Sequence, residues 1–144
     1  MIRNLFVLFF LGISFPIIAQ QAKLTIIVSG IMQEKGIMEA GIYHTPENFP
    51  QTGKQFRVKR IPVNTDTVTF TFTLPAEKDY AVAVYHDTNK NRECDKNFLG
   101  IPKEKFGFSN NVRPGWGPPS FEEAKFPLHK DTTIYIHLIK MFGN

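Results

Sequence analysis

The amino-acid sequence predicts an all-β fold: a single-domain β-sandwich of immunoglobulin-like or transthyretin-like type, with about seven strands and one long ordered loop. Three observations predict it. Apolar and polar side chains alternate with a period of two in four separate segments. Turn-forming residues punctuate the chain between them. No segment keeps a helical period over three turns.

The strands are preceded by an address. Arg3 gives a basic start, Leu5 to Ile13 are apolar but for one glycine, and Ser14-Phe15-Pro16-Ile17-Ile18-Ala19 ends on a small residue. That is the pattern of a secretory signal peptide, with cleavage expected after Ala19. The apolar run is too short to span a bilayer comfortably, and no cysteine follows it to take a lipid. The reading is therefore an exported protein, periplasmic or extracellular and not membrane-spanning after cleavage, whose residues 20–144 form one domain.

The first strand follows from Leu24, Ile26 and Val28 alternating with Thr25 and Ile27. Ile37 to Tyr43 and Phe56 to Val63 give weaker strands. Thr45-Pro46-Glu47-Asn48-Phe49 offers one helical turn, with Thr45 as cap and Pro46 at the first helical position. Val68, Phe70, Phe72 and Leu74 alternate with four threonines, the cleanest strand pattern in the chain. Tyr80, Val82 and Val84 alternate with Ala81, Ala83 and Tyr85. A weak strand over Ala124 to His129 precedes Ile134, Ile136 and Leu138, which alternate with Thr133, Tyr135 and His137. Alternation of this kind buries one face of a sheet and wets the other.

Asp87 to Glu123 breaks the pattern. A loop that long inside one domain is functional or disordered, and its rings (Phe98, Phe106, Phe108, Trp116, Phe121) argue for order. Fourteen phenylalanines in 144 residues imply a core or groove built from rings. The formal charge of +4 is scattered along the chain. No stacking-plus-basic motif accompanies it, which argues against nucleic-acid binding.

Several blocks resemble one bacterial family: His86-Asp87-Thr88-Asn89-Lys90-Asn91, Asp95-Lys96-Asn97-Phe98-Leu99-Gly100-Ile101-Pro102, Gly107-Phe108-Ser109-Asn110-Asn111 and Gly117-Pro118-Pro119-Ser120-Phe121, with Gly41 to Pro50 upstream. The family is the exported domain of unknown function 2141, and the resemblance covers roughly Leu24 to Leu138. It implies an exported domain without an established activity or catalytic residue. Arg92 departs from the family's usual glycine.

The candidate sites lie in the long loop. Asp87, Asn89, Asn91 and Asp95 occupy positions one, three, five and nine of a calcium-type loop, with the carbonyl of Glu93 at seven. Arg92 replaces the turn glycine, and Phe98 stands where a bidentate carboxylate would close the shell. Completion would need Glu104 or water, and two formal charges imply weak affinity. The same residues also make an Asx-rich turn held by side-chain to backbone bonds, and the sequence favours that reading.

Phe108, Asn110, Asn111, Trp116 and Phe121 pair rings with amides, a surface suited to carbohydrate or peptide. The competing reading makes the rings anchors and the amides turn residues. His86 with His44, Asp87 or Glu104 fits no metal-ligand spacing. Cys94 has charged neighbours and no nucleophile signature, and neither Ser109 nor Ser120 sits in a nucleophile elbow.

The functional expectation is a non-enzymatic binding domain acting through residues 87–121, with calcium the one candidate cofactor and an unknown envelope protein or small ligand as partner. A structural or assembly module is the alternative. A hydrolase using His86, Asp87 and Glu104 is the third reading.

Overall fold

The structure is a computed structural model, described over residues 19–141. The expected signal segment lies outside the described residues up to position 18. In chain order the strands are β1 (Gln21–Ser29), β2 (Ile37–Tyr43), β3 (Arg57–Pro62), β4 (Val68–Pro75), β5 (Lys78–Asp87), β6 (Phe106–Phe108), β7 (Phe126–Leu128) and β8 (Thr132–His137). A 3-10 turn at Ser109–Asn111 and a one-turn helix, α1 (Phe121–Ala124), lie between β6 and β7. Among the described residues no helix is long and apolar enough to cross a membrane.

The strands form two sheets. The smaller runs β4-β1-β8 and the larger β3-β2-β5-β6, with β7 also paired to β5. In the smaller sheet β1 lies antiparallel to β4, opposing Ile26 to Phe70, and parallel to β8, opposing Ile26 to Ile134. The facing apolar rows lock together. Leu24, Ile26, Val28, Phe70 and Leu74 of one sheet pack on Met38, Ile42, Tyr80 and Val82 of the other, all buried. Burial of such side chains is worth roughly 1.5–3 kcal/mol each.

β4 shows why its sequence pattern was so clear. Its threonines face solvent and its Val, Phe and Leu face the core in strict alternation. β2 and β5 differ, being buried on both faces over most of their length. Their outer face carries a second apolar cluster of Tyr43, Phe49, Tyr85, Phe106, Phe108 and Phe121. Three edge-to-face ring contacts join Phe49 to Tyr43, Phe108 and Phe121 at 5.3–6.1 Å. The long loop is therefore an ordered lobe laid over the larger sheet.

Two elements inside that lobe depart from expectation. β6 is an eighth strand, too short to show a period. Phe121–Ala124 forms a helical turn because its cap, Ser120, accepts at its hydroxyl from the Glu123 N–H while the Glu123 carboxylate accepts from the Ser120 N–H. The expected helical turn at Thr45–Phe49 is instead a run of turns.

Candidate functional site

The outer face of the larger sheet has a hollow at its centre. Strand pairing sets Glu39 beside Tyr85 and Phe106 in one row, and Gly41 beside Ala83 and Phe108 in the next. Gly41 has no side chain and Ala83 only a methyl, so the floor sinks between the rings. A Cβ at Gly41 would come 2.7 Å from Gln55 Cγ, so any side chain there would have to displace Gln55. Segments 50–55, 94–102 and 114–118 rise around this floor and bound a groove of about 350 Å³. Leu99 and Trp116 stand exposed at its mouth. Phe98 is also exposed but does not line it.

One charge lies in the floor. Glu39 is only 2% exposed. Its Oε2 accepts from Arg60 Nε at 2.7 Å and from the Tyr85 hydroxyl at 3.1 Å. Its Oε1 accepts from Gln55 Nε2 at 3.2 Å. A carboxylate in such a place must be paired and hydrogen-bonded to be tolerated. Burial, and then the Glu39 charge, hold the Tyr85 and Tyr43 hydroxyls well above the ordinary tyrosine range. Both therefore stay neutral donors, Tyr43 giving its proton to the Gln51 carbonyl at 3.2 Å.

The loop beginning at Asp87 is tied to itself. Asp87 accepts the backbone N–H groups of Asn91 (3.1 Å) and Arg92 (2.8 Å). Asn91 Oδ1 accepts from Glu93 N at 2.9 Å, and the Glu93 side chain is exposed. Asp95 takes one amide hydrogen from Asn89 (2.6 Å) and one from Asn91 (2.8 Å). Glu104, 7% exposed, bridges the two ends by accepting from Thr88 N at 2.9 Å and Asp95 N at 3.4 Å. Among the described residues no group of three or more His, Cys, Asp or Glu side chains is placed to hold a metal ion.

Of the ligand residues read from sequence, Phe108 and Trp116 line the groove. The other three are placed elsewhere. Asn110 donates to the carbonyls of Glu123 and Lys125 at 3.1 and 2.9 Å. Asn111 bonds the backbone of Tyr135 and His137, continuing the edge of β8. Phe121 is buried in the outer apolar cluster.

Strand alternation sends His86 and Asp87 to opposite faces. His86 Nε2 meets the Lys35 carbonyl at 2.6 Å, and neither residue lines the groove, nor does Glu104. His44 lies tilted against Phe56, ring centroids 4.4 Å apart, beyond the end of β2 remote from His86. Cys94 is half-buried on the groove wall, its thiol pushed up to about 11 by burial and by the Glu104 charge.

As site residues, sequence reasoning passed over Glu39, Gly41, Tyr43, Ala83 and Tyr85, which all line the groove. A signal was present in β2. A lone carboxylate and, two residues on, a glycine interrupt an apolar strand on the same face, and both features mark close approach rather than simple packing.

These features define a two-sheet β-sandwich whose larger sheet is roofed by an ordered lobe and hollowed into a groove. The chain belongs to the family described as an uncharacterised protein conserved in bacteria, domain of unknown function 2141, whose model matches residues 26–135. No curated protein and no solved structure matches the chain.

Proposed function

We propose that this protein is an exported, non-enzymatic binding domain of the cell envelope that takes a small, flat, mainly apolar molecule in the groove over Gly41 and Ala83. The groove itself carries the reading. Its volume of about 350 Å³ lies in the range of small-molecule sites, its floor is built from the rings of Tyr85, Phe106 and Phe108, and one charged group, Glu39, lies among them. Export rests on the basic, apolar and small-residue order of the first 19 residues.

Trp116 is the single tryptophan and stands at the mouth, so its emission reports occupancy. Small aromatic probes are expected to change that emission saturably. The Ala83→Leu variant, which fills the hollow, should abolish the change while keeping the far-ultraviolet dichroism of the fold. Equal responses in the two proteins would refute the groove as the site.

A second reading concerns calcium at Asp87, Asn89, Asn91, the Glu93 carbonyl and Asp95. What favours it is Glu104, a buried carboxylate bonded to the backbone at Thr88 and Asp95. It is a third acid beside the loop, which would have to give up those backbone bonds and move to reach an ion shared with Asp87 and Asp95. Binding would require the Asn89 and Asn91 amides to turn their oxygens inward, replacing their hydrogen bonds to Asp95. Calorimetric titration with calcium is expected to saturate in the millimolar range. A flat titration to about 10 mM removes the ion from the proposal.

A further inference from the structure

Resting on the groove reading above, we infer that the groove selects an uncharged ring compound bearing a hydroxyl, and that Glu39 Oε1 accepts a hydrogen bond from it while Gln55 is the protein's own stand-in for that hydroxyl. Among the described residues Glu39 is the one carboxylate lining the groove, and its two oxygens are unequally served. Oε2 has two donors, Arg60 at 2.7 Å and Tyr85 at 3.1 Å. Oε1 has a single one, the Gln55 amide at 3.2 Å. A carboxylate offers about four acceptor positions, so Oε1 has room for a further donor or an exchange of donors.

Gln55 is suited to exchange. It lies ahead of β3 rather than inside the sheet, it is half-exposed, and it lines the groove. Its Cγ lies over Gly41, where the floor is lowest. A ring lying on Gly41 and Ala83 takes the volume under Gln55 and directs a hydroxyl at the oxygen that Gln55 vacates. Tyr85 sets the precedent, since a phenolic hydroxyl already donates to the other oxygen of the same carboxylate.

Charge decides between ligand classes. Arg60 balances Glu39 at 2.7 Å, so a cationic ligand would bring an unbalanced positive charge into a low-dielectric groove. An anion would face the carboxylate directly. Among the described residues Lys96 is the one cationic side chain lining the groove, and it is exposed. A neutral donor satisfies Oε1 without either cost.

The test is a calorimetric comparison of 4-ethylphenol with 4-ethylanisole, which differ by a methyl group on the donor oxygen. The phenol is expected to bind about tenfold more tightly, the worth of one hydrogen bond to a charged acceptor. Glu39→Gln weakens the acceptor and is expected to lower that ratio to about threefold or less. Gln55→Ala removes the competing amide and is expected to raise the ratio above wild type, an outcome that a purely structural Glu39 would not produce. If Glu39→Gln does not fold, the Gln55→Ala ratio decides. Equal binding of the two probes to wild type overturns the hydroxyl inference alone. Binding of neither overturns the groove reading with it.

Discussion

Ser109→Ala tests the architecture of the lobe at its most enclosed point. β6 and β7 pair with residues 83–85 and 78–80 of β5, which leaves Val82 between them without a strand partner on that side. The Ser109 hydroxyl fills the gap. It accepts from the Val82 N–H at 2.9 Å and donates to the Ala124 carbonyl, with no solvent exposure. Alanine keeps the backbone but leaves a buried donor and a buried acceptor without partners. An unpaired buried group of this kind costs about 1–3 kcal/mol. Removing the hydroxyl's own desolvation offsets part of that for the pair, so a loss of about 2–3 kcal/mol is expected. In a domain of this size that lowers the midpoint of thermal unfolding by on the order of 10 °C. Urea denaturation followed by circular dichroism measures it, with Ser120→Ala as a reference that loses only a helix cap, about 1 kcal/mol. A Ser109→Ala loss below about 0.5 kcal/mol would show that the gap closes without the hydroxyl and would refute the reasoning.

Three further outcomes follow from named groups. Arg92 holds a left-handed conformation at φ 65°, its N–H bonded to Asp87. Arg92→Gly keeps that bond, relieves the strain and is expected to raise unfolding stability by up to about 1 kcal/mol. Glu104 is held above the ordinary glutamate range, first by burial and also by Asp87 and Asp95, against the Thr88 and Asp95 N–H bonds that pull it down. The folded chain thus binds this proton more tightly than the unfolded chain. Its contribution to stability grows as pH falls through the folded value toward the unfolded one and is lost as pH rises through it; comparing wild type with Glu104→Gln across that window should show the difference. Cys94, pushed up to about 11 from 9.0, is expected to react with iodoacetamide about a hundredfold more slowly in the folded protein than in urea, measured near pH 8.

Most of the two-layer core was legible because one face of its strands meets water. β4 and β1 announce themselves through threonines opposite Val, Ile, Leu and Phe. β2 was harder, since a strand covered on both sides loses the alternation that identifies it, whereas β5, covered in the same way, was still read as a strand from Tyr80, Val82 and Val84. β6 was hidden by its length. The loop was read as ordered from its rings, and Phe49, Phe108 and Phe121 do meet in one cluster. The groove was largely invisible, because the features that shape it are an absent side chain at Gly41 and a methyl at Ala83. Small residues leave no signal until pairing aligns them across three strands. Asn110 and Asn111 drew attention as amides next to aromatic rings. Both sit at positive φ, and their side chains bond to backbone. That is a common role of asparagine in turns, and spacing alone does not distinguish it from ligand contact.

The parallel seam between β1 and β8 governs the order in which the fold can close. Lys23 N–H reaches Asp131 Oδ1 at 2.8 Å across 108 positions of sequence, and Ile26 and Val28 need Ile134 and Ile136 beside them. Synthesis delivers β1 first among the strands and β8 last. Until β8 emerges, β1 has a neighbour on only one flank and the smaller layer is missing a third of its width. Contacts between such distant segments form slowly. The smaller sheet is therefore completed only when two segments from opposite ends of the domain meet.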